Sequence, residues 1–286
     1  MLGTVLVVLS SASFAIGGAA TKFLSSSLDP TAVFLWRNLL SAAGVVLWFL
    51  LFDRKVVLGE HAGIHLMRGA ATFAGLWTYF YALEAIPLAT AVLLRTASPV
   101  FVPVVACLLY RKRSDQYVWV GTWVGLVGVA LVVEPTMIGV GAGSASGVAS
   151  GVFGAIAAVL MWRLGGTNDK PMVQLLWLSL ILAAFSLLIA PWRLSMPSAS
   201  DWSFIVIIAV ATTASQLFLV LAFSIAPADK IITWGYLSVV FGALIGAAIW
   251  SEIPSFWSAI GMAIIVAGSH ITTRRTASAQ QITSQK

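Results

Sequence analysis

LATAVLLRTASPVFVPVVACLLY, residues 88–110, is an apolar run with one arginine, Arg95, and two prolines, Pro99 and Pro103, set inside it. It has an echo, ADKIITWGYLSVVFGALIGAAIW, at residues 228–250. A shift of 140 positions lays Ala82, Pro87, Ser98, Val100, Phe101, Gly121 and Gly128 on Ala222, Pro227, Ser238, Val240, Phe241, Gly261 and Gly268 without a gap. A second alignment sets residues 30–51 on 171–192 at a shift of 141, and matches Pro30, Leu35, Trp36, Leu39, Ala42, Ala43 and Leu47. Apolar segments share letters by chance, so the matches alone are thin. The stronger sign is that apolar runs and turns stay in phase across both alignments, and the chain reads as two homologous halves.

Composition places those halves in a bilayer. Residues are 60% hydrophobic and only 9% charged, with a mean hydropathy of +0.98, whereas about a quarter of a soluble domain is charged. The one cysteine, Cys107, excludes an intrachain disulfide and a cysteine-built metal site. The formal charge of +6 does not point to nucleic acid, because the basic residues cluster in short loops between apolar runs.

A membrane helix needs about 20 apolar residues. Ten segments meet or approach that: 2–23, 31–52, 66–83, 88–110, 117–134, 146–164, 172–191, 203–223, 230–250 and 255–272. The first has no charged leader and no convincing cleavage site, so it is expected to be a permanent helix. With the N-terminus inside, the cytoplasmic loops and tail carry Arg54, Lys55, Arg111, Lys112, Arg113, Arg163, Lys170, Lys230, Arg274, Arg275 and Lys286, against Lys22 and Arg193 outside. This bias sets both termini in the cytoplasm. Five helices per half is an odd number, so the second half enters from the opposite side. The expected fold is all-α integral membrane, ten transmembrane helices as two inverted five-helix repeats: residues 1–135, a Gly/Ser-rich linker at 136–145, residues 146–273, and a disordered cytoplasmic tail at 274–286. Inverted repeats of this kind occur in secondary transporters, with the substrate near mid-bilayer where the repeats meet.

Several motifs sharpen this reading. The segment YALEAIPLAT (residues 81–90), Ser98 and Pro99 in the next helix, a charged loop and GTWVGLVG (121–128) are followed in the second half by AFSIAPA (222–228), Glu252, and Gly261 through Gly268. Over nearly the whole chain this resembles the EamA-type branch of the drug/metabolite transporter superfamily. The resemblance implies a secondary exporter of small metabolites in a bacterial inner membrane. It further implies a central cavity lined by the first four helices of each half, with the fifth and tenth helices peripheral. Aromatic or other neutral amino acids are the expected substrates. Another small metabolite or drug, such as a nucleobase, an adenosyl-type compound or an organic cation, is the first alternative, and a non-transporting membrane enzyme or scaffold the second. In one respect the chain departs from the family pattern: the carboxylate usual after the fourth span is Lys112 here, whereas Glu252 keeps it after the ninth.

Ionisable groups inside membrane spans are costly and usually functional. All the carboxylates fall in loops or near span ends, so no embedded proton carrier is expected. Three arginines lie within spans, opposite Leu178, Ile208 and Gly235 in the repeat: Arg37, Arg68 and Arg95. The first two are close enough to span ends to snorkel toward water. Arg95 is central and is the candidate for a substrate carboxylate, with interhelical pairing as the other role open to it. Thr72 and Tyr79 share a helical face with Arg68 and Gly75. With them, Ser98, Gln216, Trp234, Tyr236 and Ser238 are the candidate substrate contacts, cationic on one wall and aromatic on the other. Pro99 and Pro103, each removing a helical hydrogen bond, are candidate gating or hinge positions. The GxxxG pairs 121/125, 147/151 and 242/246 permit close helix approach, within the bundle or in a weak dimer. His61 and His65 lack the glutamate of a zinc-protease helix, and no phosphate-binding loop is visible. No metal, cofactor or nucleic acid is expected. The partners are a small-molecule substrate and lipid, and the chain is a monomer or weak dimer.

Overall fold

The computed structural model describes residues 2–25, 27–52, 61–110, 116–133, 141–165, 169–189, 196–225, 234–235, 237–252, 255–268 and 271. The helices are α1 (Leu2–Leu24), α2 (Pro30–Phe52), α3 (Ala62–Ala85), α4 (Leu88–Thr96), α5 (Ser98–Tyr110), α6 (Gln116–Val133), α7 (Ala142–Gly165), α8 (Pro171–Ile189), α9 (Asp201–Ile225), α10 (Leu237–Trp250) and α11 (Phe256–Gly268). No strand occurs among the described residues.

Among the described residues, five helical stretches are long and apolar enough to cross a membrane: Leu2–Leu24, Thr31–Phe52, Ala142–Met161, Pro171–Ile189 and Asp201–Ala222. The third expected span is a helix of 24 residues, but His65, Arg68 and Thr72 make it the more polar one. The ninth and tenth are described as the shorter apolar helices Leu237–Trp250 and Phe256–Gly268.

Local chemistry explains the helix starts. Pro30 and Pro171, equivalent in the repeat, open α2 and α8, where the missing N–H is not needed. Ahead of α9, Ser198 N donates to Asp201 Oδ2 (2.8 Å) and Asp201 N to Ser198 Oγ (3.3 Å), a reciprocal capping box. The expected fourth span is two helices. At Ala97 the backbone leaves the helix with ψ near 1°, immediately before Ser98 and Pro99. Pro99 cannot donate to the turn before it, and α5 restarts with the proline in its first turn. At the other boundary, α7 begins at Ala142, inside the stretch expected as linker. Its Gly143 fits against α3, where an added Cβ would lie 2.5 Å from Ala85 Cβ. Residues 136–140 of that linker and the expected tail lie outside the described residues.

Helices of three pairs of aligned spans pack on one another antiparallel: α2 on α8, α6 on α11, and, from the fourth and ninth spans, α4 on α10, which itself aligns with α5. In α2 and α8, Asn38 Nδ2 donates to Ser186 Oγ (2.6 Å), while Val45 and Phe49 cluster with Leu175 and Leu176. Thr96 of α4 meets Ser238 of α10 (3.2 Å), whereas Val92 lies against Gly242 and Leu88 against Gly246. On α6 a Cβ at Gly128 would lie 2.8 Å from Gly261 O of α11, and one at Gly268 would lie 2.7 Å from Gly121 O. Helices this close need glycine at the crossing. The other contacts exchange between halves: α1 packs on α9, and α3 on α7. Leu94 of α4 fills the groove at Gly147, and its carbonyl oxygen the one at Gly151, so each GxxxG pair meets a neighbour in the same chain.

The largest cluster of buried apolar residues spans both halves, from Leu24 and Phe34 through Leu88 and Leu93 to Ile205 and Ile265. The outer surface is apolar as well: Phe52, Leu108, Trp123, Leu188 and Phe256 are all more than 60% exposed. Helices apolar all round are those of a membrane protein.

Candidate functional site

The halves enclose a cavity of about 210 Å³. Its walls come from α1 (Ser10, Ser11, Phe14), α3 (Arg68, Thr72), the α4–α5 break (Arg95, Thr96, Ser98), α7 (Gly154, Met161), α9 (Ser215, Gln216) and the start of α10 (Gly235, Ser238). These segments share one end of the bundle: the first halves of α1 and α3 and the second halves of α7 and α9.

Arg95 occupies the last turn of α4, just before the break. Its guanidinium lies between α3 and α7, where a Cβ at Gly75 would be 2.8 Å from Nη1 and one at Gly154 would be 2.5 Å away. Nη1 donates to Ser150 O at 2.7 Å. That carbonyl belongs to α7, so Arg95 ties the halves together at the cavity wall. Arg68 is 3% exposed and reaches Gln174 Oε1 and Met161 Sδ, both at 3.4 Å. It also lines the cavity, so the expectation that it snorkels to water is corrected: α7 and α8 cover it. No described carboxylate lines the chamber. Near the start of Arg68's helix, Asp169 holds His65 Nε2 at 3.0 Å.

The rest of the wall is hydroxyl and carbonyl. Ser10 Oγ donates to Ser215 O (2.8 Å), Ser11 Oγ to Gly235 O (3.3 Å), and Ser238 Oγ to Gly235 O (2.7 Å). Gly235, the repeat partner of Arg95, has nothing within 4 Å of where a Cβ would stand. The 140-residue shift therefore pairs a guanidinium with open space.

Arg95, Ser98, Thr72, Gln216 and Ser238 thus come together at the cavity. Tyr79 is placed elsewhere, 1% exposed, stacked on Phe14 at 5.4 Å and close to Gly18. The Trp234 side chain is 46% exposed, and only its backbone carbonyl meets the site, accepting from Ser11. Tyr236 lies outside the described residues. Pro99 and Pro103 lie on α5, after the break. Ser10, Ser11 and Phe14 were missed by the sequence reading, although adjacent serines inside an apolar span were a usable signal.

A side chamber of about 30 Å³, room for a water molecule, adjoins the cavity across Phe14, Thr72 and Gln216. Arg37 borders it and is 3% exposed, so it too does not snorkel. Its Nε donates to Asn38 Oδ1 (2.8 Å), Asn38 passes the link on to Ser186, and the guanidinium lies over the Phe34 and Phe80 rings.

An ion pair ties the helices together at the opposite end of the bundle. Lys22, in the last turn of α1, pairs with Glu252 after α10 and also donates to Ile86 O (3.3 Å). Glu252 Oε2 accepts from Leu88 N (2.9 Å) at the start of α4, and Lys22 Nζ lies 5.4 Å from the Trp250 ring centre. A carboxylate at a helix N-terminus and a lysine at a helix C-terminus each match the helix dipole.

A bundle of apolar helices around a polar chamber is the build of a polytopic membrane transporter. The chain belongs to the EamA-like transporter family, which matches residues 1–134 and 141–274. It is 29% identical to the pseudopaline exporter CntI of Pseudomonas aeruginosa, over 92% of this chain and 93% of that one. It is 23% identical to the S-adenosylmethionine uptake transporter of Rickettsia prowazekii, over 91% and 88%. A solved crystal structure, 20% identical, shares the fold with a TM-score of 0.64 over 96% of this chain and 97% of that one. The protein is accordingly a transporter of a small molecule across a lipid bilayer, and not an enzyme.

Proposed function

We propose that the protein is a secondary exporter of amino-acid-class metabolites, working by alternating access between two inverted five-helix halves. The observation that carries this is the chamber itself: it lies where the halves meet, has Arg95 on its wall, and is displaced toward one end of the bundle, away from the Lys22–Glu252 pair. Antiparallel packing of helices from aligned spans supports the inversion. Two family matches of similar length support the division near residues 135–145.

In this reading a substrate carboxylate meets Arg95. Thr72, Ser98, Gln216 and Ser238 orient the remainder, and Phe14 supplies the apolar contact. The break at Ala97 lets α4 and α5 move separately, with Pro99 and Pro103 limiting how α5 can re-form hydrogen bonds with the turn before it. Basic loop residues set the chamber's end of the bundle toward the cytoplasm of a bacterial inner membrane, with both termini there.

An adenosyl-type substrate is the second reading, favoured by the name of the Rickettsia relative. Its sulfonium charge fits poorly against Arg68 and Arg95. Counterflow in proteoliposomes decides: saturable exchange of labelled amino acids supports the first reading, and exchange of S-adenosylmethionine alone supports the second. No saturable flux of any solute would remove transport by this route.

A further inference from the structure

Two guanidinium groups face one chamber, and no described carboxylate faces it with them. Arg68 has only the neutral partners Gln174 and Met161, and Arg95 the neutral Ser150 carbonyl, among the described residues. Burying a charge without a counter-charge is expensive, and two like charges in one low-dielectric chamber repel as well. A ligand with a single carboxylate compensates one of them. A neutral amino acid brings one carboxylate for two guanidiniums, and its ammonium adds a further positive charge.

From this we propose that the substrate carries two carboxylates, one for each arginine, and is an acidic amino-acid-type or dicarboxylate metabolite rather than a neutral amino acid. This rests on the transport reading above and narrows its substrate class. The geometry also bears on ligand length. Arg95 reaches α3 at Gly75, seven residues beyond Arg68, or about 10 Å along the helix axis. That figure runs from the Arg95 guanidinium to the backbone of Arg68, whose side chain turns to Gln174 and Met161. The two carboxylates therefore sit on a chain of several atoms, not on one carbon. Gln216 and the serine hydroxyls remain for an amino group or other polar substituents between them. The second half contributes no counter-charge of its own, because the repeat partners of Arg68 and Arg95 are Ile208 and Gly235.

The test is competition in counterflow, with purified protein in liposomes and four probes: L-leucine, L-2-aminoadipate, glutarate and S-adenosylmethionine. In the wild type, 2-aminoadipate should compete at least tenfold better than leucine. Arg68→Gln should reduce that preference to within about twofold, while Arg68→Lys, which keeps the charge, should retain most of it. Retention by the lysine variant separates lost recognition from lost folding. Equal competition by leucine and 2-aminoadipate, or a preference unchanged in Arg68→Gln, overturns the proposal while leaving amino-acid transport in place. If glutarate competes with the same dependence on Arg68 and no amino acid does, the two-carboxylate site stands and the amino-acid reading falls. Competition by none of the acidic probes overturns the two-carboxylate proposal, and competition by S-adenosylmethionine alone overturns both.

Discussion

Lys22 and Glu252 form an ion pair across the end of the bundle away from the chamber, joining the last turn of α1 to the segment after α10. They come from opposite ends of the sequence, and the same carboxylate holds the first amide of α4 through Leu88. One side chain thus secures three helices around the end of the chamber that must open if a solute is to pass.

Replacing Glu252 by Gln should loosen this end. A partly exposed pair of this kind contributes about 1 kcal/mol, so the open-to-closed ratio should shift roughly fivefold. The measurement is maleimide labelling of a cysteine placed at Val92, in a Cys107→Ser background, from the side where α1 ends. Labelling no faster in Glu252→Gln would mean that apolar packing alone makes the seal.

Gly154 leaves room for the Arg95 guanidinium, and a methyl there would lie 2.5 Å from Nη1. Because that atom ends a flexible side chain, Gly154→Ala should move the charge rather than unfold the helix pair. Half-saturation for the substrate should rise about tenfold, or ~1.4 kcal/mol, with the thermal midpoint nearly unchanged. A large fall in midpoint with unaltered half-saturation would assign the glycine to packing.

Arg95→Gln retains a donor for Ser150 O and removes the charge. Transport should drop by at least tenfold, the size expected when a charge-assisted hydrogen bond to substrate is lost. Wild-type flux in this variant would make Arg95 a structural tie between α4 and α7 and nothing more.

Asn38 is the acceptor for Arg37 in a buried setting. Asn38→Leu should destabilise the protein by about 2–4 kcal/mol, because a buried charge loses its partner. Adding Arg37→Met should recover most of that loss. Unfolding of the purified single and double variants in detergent measures both, and purely additive effects would count against the coupling.

Every described carboxylate lies near a helix end, and the chamber holds none. Exchange should therefore proceed without a pH gradient. Counterflow in liposomes buffered identically on both sides checks this, and strict dependence on an imposed gradient would require a proton carrier elsewhere in the chain.

Much of the architecture was legible in the sequence. Helices are local objects, made by apolar runs, by Pro30 and Pro171 at helix starts, and by the Ser198–Asp201 cap, so their existence and approximate ends followed from the chain. The sequence also suggests a duplication, in line with the two stretches, 1–134 and 141–274, that match one family. Arg95, Ser98 and Gln216 could be nominated, since charge or amide in an apolar run is unusual wherever it points.

What the chain by itself determined was therefore a set of apolar helices and the arginines set within them. Tertiary structure decided the rest. Tyr79 was nominated because it shares a helical face with Thr72, yet α1 covers its end of that face while leaving Thr72 open to the chamber. Arg68 seemed near enough to an end to snorkel, and the neighbouring helices enclosed it. Glu252 looked like a loop carboxylate until folding brought Lys22 and the start of α4 to it, from 230 and 164 residues away. The physical reason is the same in each case: helix formation and membrane insertion depend on near neighbours in sequence, whereas whether a polar side chain meets ligand, lipid or another helix depends on elements far away in the chain.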